Sequence, residues 1–158
     1  MTTYHVRPVE PTTLKGLRSA DDAGRRMVPV TDDEGGAPLR CCLRRSAPGE
    51  RIALVSYAPL RRWAAENGAD PGAYDEQGPV FIHAEECAGP DGEEVPFTNA
   101  HRVVRRYSAQ GHILGGRLVE GASTFTSAFR EAFDDPAVAV VHVRAVEYGC
   151  FLYEVRRA

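Results

Sequence analysis

Apolar and polar positions alternate most clearly over Gly78–Cys87, where Val80, Ile82 and Ala84 interleave with Phe81, His83 and Glu85. A period of two marks a strand whose faces differ, so His83 and Glu85 are expected to point the same way. Ile52–Tyr57 predicts a second clear strand, launched by the Pro48-Gly49 turn. Tyr4–Val9 predicts a short strand broken by Pro8 and Pro11. A brief helix carrying Leu14 and Leu17 follows, with Thr12 or Thr13 as its cap. Leu39–Leu43 predicts another short strand, which would place Cys41 and Cys42 on opposite faces.

Pro59 suits the first turn of a helix in which Leu60, Trp63 and Ala64 recur at helical spacing and Asn67-Gly68 is the stop. Residues 69–79 and the acidic, breaker-rich 88–94 segment predict loops. Val103 and Val104 belong to a strand that Gln110-Gly111 turns back into Ile113–Val119. Phe125, Phe129, Ala132 and Phe133 form the strongest helical stripe, capped by Ser123 or Thr124 and ended by Asp134-Asp135-Pro136. Ala137–Ala145 and Cys150–Arg156 predict two strands joined at Glu147-Tyr148-Gly149. Strands in hairpins with about two helices predict an α+β fold, with a mostly antiparallel or mixed sheet and helices packed against it. Residues 1–158 read as a single globular domain.

The length of 158 residues allows a core that needs neither disulfides nor a metal. No apolar run near the first residues resembles a signal core, and none approaches the ~20 residues that span a bilayer. The expectation is a cytoplasmic protein with no membrane partner, whose four cysteines are reduced thiols. A formal charge of -3, with acids and bases interspersed, excludes a general nucleic-acid binder. Lys15 is the single lysine and no glycine loop precedes it, which removes most Schiff-base and phosphate-loop chemistry.

His83-Ala84-Glu85 matches the His-x-Glu of zinc-dependent nucleobase deaminases, but those enzymes need a later Pro-Cys-x-x-Cys. This chain has no cysteine between Cys87 and Cys150. A different zinc shell can be drawn from His83, Cys87, Cys150 and either Cys42 or His142, three of whose segments would have to converge. Buried, inert thiols are the commoner outcome for such cysteines, so neither a metal nor any other cofactor is assigned. Cys150, Cys87 and Cys42 remain the candidate functional thiols. His142 and Arg144 stand in an apolar strand, where burying either charge unpaired is costly. They are expected to be paired, for instance with Glu85, Glu86 or Glu154, to be exposed, or to be functional. Arg105 and Tyr107 form a similar pair, and Tyr57 ends its strand.

Several short motifs, in order, carry a family resemblance. They are Pro38–Leu43 followed by Ala47-Pro48-Gly49-Glu50, Ser56-Tyr57, Gly78–His83, Arg106-Tyr107, and His142-Val143-Arg144 with Gly149-Cys150-Phe151. Nearly end to end, the chain resembles the bacterial domain-of-unknown-function family twelve hundred and three. The resemblance implies a bacterial, intracellular setting and brings no activity. It also implies a cysteine just after the proline matching Pro38, where this chain has Leu39 and only Cys41 or Cys42 can substitute.

The leading reading is a domain that binds or converts a small anionic molecule. In it His83 exchanges a proton, Glu85 fixes the imidazole tautomer, Arg144 orients the anion, and His142, Tyr57 and Arg105 line the pocket. A non-catalytic accessory domain forming a homodimer through a sheet edge is the alternative, and a thiol- or zinc-dependent protein the second.

Overall fold

The structure is a computed structural model that describes residues 3–158; Met1 and Thr2, which open the segment read above for a signal core, lie outside the described residues. In chain order the elements are β1 (Tyr4–Arg7), α1 (Pro11–Ser19), β2 (Val30–Asp32), β3 (Glu50–Tyr57), α2 (Pro59–Glu66) and β4 (Gly78–His83). There follow β5 (Arg102–Tyr107), β6 (Ile113–Val119), α3 (Phe125–Asp134), β7 (Val140–Ala145) and β8 (Phe151–Arg157). The described residues thus hold eight strands in two antiparallel sheets and three α-helices, an α+β fold that is mostly sheet. No described helix is long and apolar enough to cross a membrane.

The chain divides into two compact units. One comprises the chain up to Arg7 with Ala58–Glu76 and Thr98–Ala158, and holds a five-stranded sheet in the order β1-β8-β7-β5-β6. Consecutive strands β5 and β6 pair as the hairpin expected from Gln110-Gly111, with Gly111 at φ +80° as the turn requires. The apolar stripe of α3 is buried as its spacing dictates: Phe125, Ala128, Phe129, Ala132 and Phe133 all lie inside. Phe129 meets Tyr4 edge-on with ring centroids 5.3 Å apart, and also faces Phe125 and Tyr153. The apolar face of α2, Leu60, Trp63 and Ala64, packs with Tyr107 and Val140.

The second unit, Pro8–Tyr57 with Gln77–Phe97, holds a three-stranded sheet in the order β2-β3-β4. Helix α1 begins at Pro11, which fills the first helical position where its missing N–H costs nothing; the expected threonine cap is not used. It buries Leu14 and Leu17. Strand β3 pairs with β4 over six positions, from Ile52↔His83 to Tyr57↔Gly78, so Glu50 and Arg51 run on past the last residue of β4.

Two expected strands end differently. Leu39–Leu43 is a turn, with Pro38 and Arg45 bridged across its base. The bond from Leu43 N–H to Leu39 O, 3.0 Å, curls the chain before a second extended residue can follow. Strand β4 stops at His83, so Ala84 and Glu85 leave the alternating pattern.

Candidate metal centre

The turn at 38–45 exists because two backbone hydrogen bonds close it and one residue takes a left-handed conformation. Leu39 N–H donates to Arg44 O at 2.9 Å, Ser46 N–H to Ala37 O at 2.8 Å, and Leu43 takes a left-handed φ of +58°. A leucine in that region costs roughly 1–2 kcal/mol, which surrounding structure must offset. The turn is anchored to β4 on one side, where Leu39 forms a parallel bridge with Phe81 and Arg40 N–H donates to Phe81 O at 2.9 Å. Its tip therefore lies beside the end of β4, and its tip is Cys41-Cys42.

There the two thiols meet His83. Cys41 Sγ is 3.4 Å and Cys42 Sγ 3.9 Å from His83 Nδ1, and the two sulfurs are 4.0 Å apart. Cys87, four residues beyond His83, completes a group whose ligand atoms all lie within 4.8 Å of one another. Tetrahedral zinc with Zn–S near 2.3 Å and Zn–N near 2.0–2.1 Å has ligand-to-ligand edges of about 3.5–3.8 Å. The three measured separations bracket those edges. Cys41, Cys42 and His83 are buried, and Cys87 is half-buried.

The opposite edge of the imidazole is held by Glu50, whose carboxylate contacts His83 Nε2. Glu50 also accepts from Arg44 Nη1 at 3.0 Å and from the Ala47 N–H at 2.6 Å. The Arg44 hydrogen bond, the Ala47 amide and the His83 contact together draw its carboxyl down to about 2. An ionised carboxylate can only accept, so Nε2 donates to Glu50 and Nδ1 is the ring nitrogen that faces the sulfurs. Cys42 accepts the Cys41 S–H, which draws the Cys42 thiol down against its burial, with the Arg44 amide and guanidinium assisting. The same bond, with burial, pushes the Cys41 thiol up. Arg18 of α1 fixes the chain just beyond, donating to His83 O at 3.1 and 3.2 Å and to Glu85 O at 2.9 Å.

The expected constellation is redistributed. Glu85 does not orient the imidazole: its carboxylate accepts from Arg51 Nε at 2.7 Å, and Glu50 takes the role instead, because β4 ends before position 85. Of the drawn zinc shell, His83, Cys87 and Cys42 come together. Cys41 completes the set in place of Cys150 or His142, which belong to the other unit. Tyr57 is buried at the end of β3. The sequence reading left Cys41 out of the drawn shell and Glu50 out as the partner of His83. The adjacent cysteines before a Pro-Gly turn, with an acid directly after it, were the available signal.

In the five-stranded unit, Arg105 and Arg144 both reach Glu76, at 2.9 Å and 3.1 Å, one guanidinium on each carboxylate oxygen. Arg105 also donates to Tyr107 Oη at 3.3 Å. His142 is fully buried, its Nε2 2.9 Å from Glu154, the pairing expected as one of three outcomes. Burial, the largest influence, draws the His142 pKa below its usual value; burial pushes Glu154 up, yet its hydrogen bond to His142 and the charges of His142 and Arg156 leave it below. Arg156 also answers Glu154, at 2.6 Å. Cys150 is half-buried just before β8, its Sγ 4.0 Å from Tyr148 O.

A family model described as a protein of unknown function (DUF1203) matches residues 36–157. The chain belongs to that family, as its motif order had implied. No curated protein and no solved structure matches it.

Proposed function

We propose that this member of the DUF1203 family binds one thiophilic divalent metal, zinc, through Cys41, Cys42, Cys87 and Nδ1 of His83. The observation that carries the reading is the convergence of three sulfurs and one ring nitrogen within 4.8 Å, from two separate stretches of chain. Soft thiolates with an imidazole are a zinc-selective donor set, whereas carboxylate and carbonyl oxygens suit magnesium or calcium. The second shell supports it too. A carboxylate on the far nitrogen of a ligating histidine fixes the tautomer and raises ligand basicity, which is where Glu50 sits. Three thiolates and a dication leave one negative charge, and the Arg44 guanidinium lies next to Cys42 to offset it.

Zinc titration of the reduced protein against a chromophoric chelator tests this. The expected result is one tightly held zinc per chain, lost in Cys42→Ser. Thiols that only pair with each other would show no chelator competition and would oxidise to a disulfide instead.

A second reading keeps the anion site, on the observation that Arg105 and Arg144 close on one carboxylate. Two guanidiniums on neighbouring strands repel each other, so the pair favours an anion between them. Glu76 fills that position from a loop and is itself about half exposed. The corresponding ligand is a small carboxylate or phosphate that displaces Glu76. Oxalate and inorganic phosphate are therefore expected to raise the Tm of Glu76→Gln and leave Glu76→Gln/Arg144→Met unmoved. No shift in either protein contradicts this reading.

A further inference from the structure

The four ligands of the proposed metal centre are not held alike. Cys41 and Cys42 sit on a turn closed by its own hydrogen bonds and bridged to β4, at 2% and 4% exposure. His83 is the last residue of β4, 8% exposed, paired with Ile52 and held on its ring by Glu50. Cys87 has no such frame. It lies in irregular chain beyond the strand end, half-buried, and among the described residues no hydrogen bond is made to its backbone or thiol.

The segment that follows contains Gly89, Pro90 and Gly92 and belongs to no helix or strand up to β5. Chain of that kind opens at little free-energy cost. Exposed acids flank Cys87 in the chain, Glu86 just before it and Asp91, Glu93 and Glu94 after it, while Glu85 is paired with Arg51. Their charge favours the approach of cations along this stretch.

We infer that Cys87 is the exchangeable ligand of the centre, the position at which metal enters and at which a small external thiol replaces the protein thiolate. The inference rests on the metal reading above. Three fixed ligands with one replaceable position is the pattern of zinc sites that take part in chemistry or transfer, whereas four equally rigid ligands make a purely structural site. In the exchange the metal–Cys87 sulfur bond breaks as the metal–sulfur bond to the incoming thiol forms. The proton of the incoming thiol ends on Cys87 Sγ, so charge and atoms balance and no electrons are transferred.

Cobalt substitution separates the possibilities, because thiolate-to-cobalt charge-transfer absorption counts bound sulfurs. Cys87→Ser is expected to keep one cobalt per chain and lose about one third of that absorption, three thiolates having become two. Addition of 2-mercaptoethanol is expected to restore it. Cys42→Ser, and independently His83→Gln, are expected to lose stoichiometric cobalt with no rescue by thiol. A readout free of variants is alkylation of the zinc-loaded wild-type protein with iodoacetamide, followed by mass spectrometry, where Cys87 is expected to react before Cys41 and Cys42, with Cys150, outside the centre, as the unligated reference thiol. Equal loss of cobalt from Cys87→Ser and Cys42→Ser without thiol rescue overturns the inference while leaving the metal site standing. First alkylation at Cys41 or Cys42 does the same. Wild-type protein that binds neither cobalt nor zinc overturns the metal reading, and this inference with it.

Discussion

The carboxylate of Glu50 closes on Nε2 of His83 while the sulfur of Cys41 lies 3.4 Å from Nδ1 of the same ring. The imidazole is thereby fixed at both edges, with an ionised acceptor at Nε2 and Nδ1 aimed at sulfur. Glu50→Gln keeps the shape of that contact and removes its charge. Zinc affinity is expected to fall by about 10–100-fold, the usual cost of losing a ligand's orienting partner, with the one-to-one stoichiometry kept. Chelator competition on the folded variant measures it, and an unchanged Kd would mean that Glu50 serves only the turn.

The His142–Glu154 pair sets the expected response of stability to acid. His142 titrates below its unfolded value, because burial disfavours the imidazolium, so the unfolded chain takes up that proton first as pH falls. Stability is therefore whole above the unfolded pKa of about 6.5 and declines below it. Glu154, whose folded pKa is also depressed, adds a loss at lower pH in the same direction. Each proton contributes a slope of at most about 1.4 kcal/mol per pH unit. Urea unfolding at stepped pH is expected to show this decline just below neutrality and to show it flattened in His142→Gln. A variant with the same slope as wild type would place the acid-sensitive group elsewhere.

Phe129 is the residue on which three ring contacts of the five-stranded unit converge, with Tyr4, Phe125 and Tyr153. It is fully buried, so Phe129→Ala leaves a cavity that its aromatic neighbours cannot fill. The expected cost is about 3–5 kcal/mol in denaturant unfolding. A loss near 1 kcal/mol would show that α3 collapses into the space.

The sheet and helices were readable from period alone, because each element carries its own burial pattern. Val80 and Ile82 alternate, Phe125, Phe129 and Phe133 recur every four residues, and both are buried as that spacing requires. The centre was only half readable, since it is assembled by contacts between stretches about forty residues apart. Leu39–Leu43 has the apolar content of a strand, and nothing in its composition announces a turn with a leucine at φ +58° in which both sulfurs lie near His83 Nδ1, at 3.4 and 3.9 Å. Glu85 lies two residues from His83 and was the natural partner for its ring. The register of β3 against β4 carries Glu50 past the strand end instead, and pairing register is set by both strands together. In the same way the expected pairing of His142 rested on the cost of a buried charge. Its choice of Glu154 came from β8 lying beside β7.

The most direct measurement of the central claim is the metal content of the reduced wild-type protein after equilibration with zinc and removal of the excess. One zinc per chain is expected, with Cys41 and Cys42 protected from a thiol reagent until a chelator is added. Protein that retains no stoichiometric zinc, and whose Cys41 and Cys42 react no more slowly with zinc present than without it, would contradict the account.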